Sequence, residues 1–201
     1  MMRTTQDILD AQPQLHRDGK GGFTSWTLPK EVLFYIDRMV DDTSVTLETG
    51  AGVSTLLFAL KGAEHTAIAH HPDEIENVRR YCMTHGISLE RVDLINNRSE
   101  FALPNLPKIP LDFVLIDGRH AFPSPFVDWY FTVDRLKIGG IMLVDDTNLK
   151  TGQILKEFMS VDHRFELVKE FDNTVAFKKL ETDITLFEFD RQPWMLVRNA
   201  D

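Results

Sequence analysis

Two spacings of apolar residues alternate along the chain. From Leu28 to Val40, the positions Val32, Leu33, Ile36, Met39 and Val40 recur at helical spacing and Pro29 suits a first turn, so a helix ending at Asp41–Asp42 is predicted. Val45–Thr46–Leu47 then reads as a buried strand, Glu48 to Thr55 as a glycine-bearing turn, and Leu56–Leu60 as the helix which that turn opens. His65–His70, Val92–Ile95, Leu111–Asp117 and Ile141–Val144 read as further strands. Pro72–His85, Pro125–Leu136 and Thr151–Val161 read as helices, the second with Phe126, Val127, Tyr130, Phe131 and Val133 as core. Gly139–Gly140 is read as a turn into its strand. Phe165–Phe171 and Thr174–Lys178 flank Asp172–Asn173, a pair that tolerates a tight turn, and so form a hairpin. Strands alternating with helices predict an α/β fold whose sheet is mostly parallel, with an antiparallel hairpin at one edge.

Composition narrows the possibilities. The chain has 201 residues, 43% of them hydrophobic, which supports one sizeable core and one domain spanning 1–201. Twenty-two basic against 31 acidic residues leave a net charge of −9, which argues against an extended nucleic-acid footprint and for a small-molecule or protein partner. No apolar run approaches the length of a membrane span, and the first residues lack the pattern of a secretion signal. Cys82 stands alone, without a metal-ligand spacing, as suits a reducing cytosol; a cytoplasmic protein is the expectation. Residues 1–22 are polar and predict a flexible arm, either a lid or a simple leading segment. The tail 181–201, rich in large apolar residues such as Phe187, Trp194 and Leu196, is expected to pack on its own domain or to join a second subunit in a homo-oligomer.

Candidate chemistry lies at strand ends. Glu48-Thr49-Gly50-Ala51-Gly52-Val53-Ser54 combines a carboxylate, two glycines and a helix start, whose free N–H groups can face a polar ligand. The run Leu111–Asp117 ends on a carboxylate, and Ile141–Val144 is followed by Asp145 and Asp146. In a doubly wound sheet these ends border the ligand crevice.

The residues resemble the class I S-adenosylmethionine-dependent methyltransferases. The likeness is to the branch with a Glu-x-Gly-x-Gly-x-Ser first motif and a later Asp-Gly-x-His, here Asp117-Gly118-Arg119-His120, followed by Leu136-Lys137-Ile138-Gly139-Gly140 and Asp145-Asp146. It spans roughly Thr24 to Lys178 and implies a Rossmann-like, doubly wound, seven-stranded sheet. By this resemblance Glu48, Gly50 and Gly52 line the amino-acid end of the cofactor, and Ser54 caps the next helix or bonds the cofactor carboxylate. Asn97, Arg98 and Ser99 fall where the family surrounds the adenine, and Asp117 is a further cofactor contact. One position departs from the family pattern. Ala69 stands where relatives end the second strand with an acid for the ribose hydroxyls, which leaves His70, His71 or Asp73 to take over that contact.

The resembling small-molecule O-methyltransferases hold a divalent cation with oxygen ligands from two strand ends. Carried over, the set is Asp117, Asp145 and Asp146, with Asp146 where Asn is usual, compatible with Mg²⁺ or another hard cation. His120 matches the basic catalytic residue and is the expected general base. The implied activity is methyl transfer from S-adenosylmethionine to a hydroxyl of a small acceptor. The alternative is a catalytically inactive member of the fold that binds a nucleoside-type ligand or a protein partner, a reading motivated by Ala69. Phe23 and Trp26 are expected to cover the cofactor, whereas His16, His65, His85 and His163 have no functional context in the sequence.

Overall fold

The computed structural model describes residues 4–17, 20, 22–24, 27–181 and 194. Helix α1 (Thr5–Ala11) starts at a capping box, in which Thr4 and Asp7 satisfy each other's backbone N–H groups. It buries Ile8 against helices α2 (Lys30–Met39) and α3 (Val53–Lys61). Strands β1 (His16–Arg17) and β2 (Phe23–Thr24) form a small antiparallel ladder. The expectation of a flexible arm is thus corrected for residues 4–17. Ile8 and Leu15 are buried because the polar stretch carries just enough apolar side chain to seat it on the domain.

The main sheet uses β3 (Val45–Thr49), β4 (Glu64–Ala69), β5 (Val92–Asn96), β6 (Leu111–Ile116), β7 (Leu136–Val144), β8 (Phe165–Glu170) and β9 (Val175–Lys179). Their order is β5-β4-β3-β6-β7-β9-β8, with β9 alone running against its neighbours. The predicted seven-stranded, doubly wound sheet with its edge hairpin is therefore present. Helices α2, α3 and α4 (Pro72–His85) cover one face, around Leu33, Ile36, Leu57 and Phe113. Helices α6 (Ser124–Thr132) and α7 (Lys150–Ser160) cover the other, around Trp129, Leu155 and Phe177. A four-residue helix, α5 (Ser99–Ala102), follows β5. Among the described residues no helix is long and apolar enough to cross a membrane.

Predicted boundaries move: α3 starts at Val53, inside the run read as a turn, and two further elements differ. The helix expected over 125–136 stops at Thr132, and Tyr130, expected in the core, is exposed, whereas Trp129 is buried. Gly139 and Gly140 lie inside β7 and not in a turn before it. Between the pairs Leu111↔Leu136 and Phe113↔Ile141, β6 advances two residues while β7 advances five, so the glycines form a bulge. Gly139 takes φ +79° there, a backbone state glycine adopts at little cost.

Candidate active site

The sheet order reverses between β3 and β6, and the crevice opens where their carboxyl ends part. A cleft of about 800 Å³ occupies this place. Its floor is the turn after β3, with Thr49, Gly50, Gly52 and Ser54; one wall is β4's end with Ala69, His70, His71 and Glu74; another is Arg98 and Ser99; the mouth is Asp117 to Ala121 with Asp145, Asp146 and Asn173. Backbone bonds tie these ends together. The Asp117 amide donates to the Thr49 carbonyl at 3.1 Å, that of Asp145 to Ile116 at 3.0 Å, and that of Gly50 to Ile68 at 2.8 Å.

Gly50, Gly52, Ser54, His70, Arg98, Ser99 and Asp117 border this cleft, and Glu48 does not. Glu48 is a correction. It is 1% exposed beneath the turn, and its oxygens are taken by protein donors. Ser54 Oγ donates to Oε2 at 2.5 Å, Thr55 Oγ1 donates to Oε1, and His65 Nε2 lies 3.1 Å from Oε1. Thr55 Oγ1 also accepts from the Gly52 amide at 2.9 Å, so the buried carboxylate fixes the glycine turn from below. Ser54, expected to cap α3 or to bond the cofactor, instead spends its hydroxyl on Glu48. His65 is a functional neighbour that sequence reasoning missed: it stacks on Phe58 at 4.3 Å and its Nδ1 meets Thr46 Oγ1 at 2.8 Å. Its strand register, which sets His65 beside Thr46, is invisible before the sheet is assembled.

The three aspartates do converge. One carboxylate oxygen from each of Asp117, Asp145 and Asp146 lies within 4.8 Å of the others, a spacing a single cation can bridge. Burial, then the neighbouring carboxylates of Asp145, Asp146 and Glu48, hold Asp117 well above the ordinary carboxylate range. Asp145 is raised mainly by burial, with Asp146 adding to the effect and a hydrogen bond from Thr174 opposing it. His120 Nδ1 lies 3.1 Å from Asp146 Oδ2, with the imidazole 46% exposed at the mouth.

At the opposite wall Ala69 is buried, as expected for a site without its acid. His70 and His71 pack ring to ring at 3.8 Å. Burial, then the charge of His71 and those of Arg119 and Arg98, lowers the pKa of His70 against the pull of Glu74. Asp73, one of the expected substitutes, turns away to Arg17 at 3.0 Å. His16 and Glu74 were missed as cleft residues, since 58 positions separate them and nothing in either neighbourhood signals the pairing. Trp26 lies outside the described residues, as does the side chain of Phe23. The tail expectation likewise lies outside them except at Trp194, which stacks on Phe158 of the same domain at 3.9 Å.

Behind the mouth, Asp128 is fully buried next to Gly118, and burial pushes its carboxyl up to about 6. The Ser99 and Thr49 hydroxyls lie near enough to moderate that rise without making a well-formed hydrogen bond. Cys82 is buried with its thiol raised to about 11, and so is chemically quiet.

No curated protein sequence matches the chain. Among solved structures, a candidate caffeoyl-CoA O-methyltransferase from Staphylococcus aureus superposes with a TM-score of 0.67 at 16% identity, over 77% of this chain and 85% of that one. The S-adenosylhomocysteine-bound methyltransferase of Podospora anserina gives 0.62 at 19% identity, over 90% and 89% of the two chains. An rRNA methylase from Streptococcus thermophilus gives 0.59 at 18% identity, over 79% and 100%. These likenesses establish a shared fold. Residues 47–147, half of the chain and the whole run from the glycine turn to the paired aspartates, match the family model described as a methyltransferase domain, and the chain belongs to that family of S-adenosylmethionine-dependent enzymes.

Proposed function

We propose that this methyltransferase transfers its methyl group to a hydroxyl oxygen of a small acceptor, with a divalent cation held by Asp117, Asp145 and Asp146. The observation that carries this reading is the convergence of three carboxylates in the cleft that also contains the glycine turn. Like charges this close and partly desolvated need a proton or a cation, and three anionic oxygens suit Mg²⁺ or a similar hard ion. When bound, such an ion polarises acceptor oxygens and lowers the pKa of a hydroxyl. His120 keeps one ring nitrogen toward Asp146, which orients the imidazole, and has the other available to take the acceptor's proton. Gly50 and Gly52 give the amino-acid end of the cofactor access to the backbone, while Arg98 and Ser99 border the adenine side. The likeness to a candidate caffeoyl-CoA O-methyltransferase supports oxygen as the methyl acceptor.

Thermal melting and a transfer assay test the reading. Mg²⁺ should raise the melting temperature of the wild type, and Asp145→Ala should abolish that response while melting higher than the wild type without metal, because one repelling charge is gone. Transfer from radiolabelled S-adenosylmethionine to aromatic vicinal diols should stop with excess chelator and resume with Mg²⁺. Full activity in chelator, with no metal-dependent melting shift, would remove the cation from the proposal.

A further inference from the structure

The resembling enzymes grip the cofactor ribose with an acid at the end of the second main strand, and here that place is the buried methyl group of Ala69. A carboxylate nevertheless borders the same wall of the cleft. Glu74, in the first turn of α4, has a side chain only 15% exposed, and its Oε1 lies 3.2 Å from Nδ1 of His16. His16 in turn stands over the glycine turn, where a Cβ on Gly52 would come within 2.9 Å of its Nε2. Two strand-end elements and the amino-terminal segment therefore meet at one carboxylate. The neighbouring acid is unlike it: Asp73 is 60% exposed and pairs with Arg17 outside the cleft.

We propose that Glu74, oriented by His16, binds the ribose diol of the adenosyl cofactor in place of the absent strand-end acid. The proposal rests on the methyltransferase reading. A cis-diol presents two O–H donors, and an ionised carboxylate is a side chain that only accepts, with room for several donors. His16 occupies one oxygen of Glu74 and leaves the second for the ligand. Glu74 lines the same cleft as Ala69, and its stem, longer than that of an aspartate, extends from the first turn of the helix that follows that strand. Partial burial strengthens each charge-assisted bond over its value in water. His70 and His71 serve this purpose less well, since their rings lie against each other and a neutral imidazole accepts at a single nitrogen.

Calorimetric titration of the full chain with S-adenosylhomocysteine and with its 2′,3′-dideoxy analogue tests the assignment. Glu74→Gln, nearly isosteric, should weaken S-adenosylhomocysteine about tenfold or more, while the dideoxy analogue binds wild type and variant equally. Adding Ala69→Asp to Glu74→Gln should restore most of the lost affinity, which a variant that was merely misfolded would not do. Unchanged affinity of Glu74→Gln for S-adenosylhomocysteine would overturn the proposal and leave the cofactor reading intact. Equal weakening toward both ligands would also overturn it, assigning Glu74 to support of the segment around His16. A wild type that binds neither ligand would remove the cofactor reading itself, and the ribose assignment with it.

Discussion

The two glycines of the turn after β3 are needed for different physical reasons. Gly50 has φ +99°, and a Cβ there would meet the Asp117 carbonyl oxygen at 2.4 Å, so any side chain forces apart the two central strand ends. Gly52 is extended, at φ −170°, and its absent Cβ faces only the imidazole of His16. Gly52→Ala should therefore keep the circular dichroism of the wild type while pushing His16 aside, and should weaken S-adenosylhomocysteine about tenfold by titration, roughly the cost of one disturbed hydrogen-bonded contact. Affinity equal to the wild type would show that the ligand does not run over Gly52. Asp128 makes a second test. Its folded pKa, near 6, lies above the unfolded value of 3.8, so the folded state holds the proton more tightly. The contribution of this group to stability is full below about pH 4 and is lost as the pH rises to about 6. Asp128→Asn, neutral throughout, should be more stable than wild type at pH 7.5, by up to about 3 kcal/mol in urea unfolding, with the difference vanishing near pH 4. A difference independent of pH would mean that the carboxyl is not protonated in the fold. These residues also mark what a sequence can and cannot disclose. Gly50, Asp117, Asp145 and Asp146 were legible because each sits at a strand end, where chain order alone sets position. Glu48 was legible as an acid at the turn, but its inward orientation depends on Ser54, Thr55 and His65, which only the assembled sheet brings beneath it.

At the scale of elements, apolar spacing located the strands and the helices of the main sheet, because each buries a face of fixed period against its neighbours. It failed at β7, where Gly139 and Gly140 carry the same local signal in a bulge as in a turn, and only the register of β6 distinguishes them. It failed again in α6, where the apolar run continues past Thr132 but the chain must turn to begin β7 at Leu136. The outer face of α7 gains a cover from a residue remote in sequence. Trp194 stacks on Phe158 with an interplanar angle of 9°, donates its Nε1–H to the Phe158 carbonyl at 2.7 Å, and presents its face to Arg164 at 5.4 Å. It also meets Trp129 edge to face at 5.7 Å. Trp194→Ala removes these contacts together and should destabilise the domain by about 2 kcal/mol in urea unfolding. A loss below about 0.5 kcal/mol would mean that the ring only rests on the surface.

Across the whole molecule, one reversal of strand order places the glycine turn, Arg98 and Ser99, and the acidic mouth around a single crevice, although 157 positions separate His16 from Asn173 and the residues of the cleft come from both halves of the sheet. That arrangement follows from the right-handed crossover of strand–helix–strand units, so chain order was enough to anticipate it. The docking of the amino-terminal segment was not anticipated, because beside the burial of Ile8 and Leu15 its attachment is polar and specific. Leu15 accepts through its carbonyl from Asn77 at 2.7 Å, His16 meets Glu74, and Arg17 meets Asp73, so three successive residues dock on one helix. Attachment of this kind couples local opening to ligand occupancy. If the cofactor is gripped beside His16, each opening of residues 15–17 must first release ligand, and the free energy of that opening rises by the binding term. Amide hydrogen exchange at Leu15, His16 and Arg17 should accordingly slow on saturation with S-adenosylhomocysteine, while exchange in β8, remote from the cleft, stays the same. Equal rates with and without ligand would show the docked segment to be a fixed wall, thermodynamically indifferent to what the crevice contains.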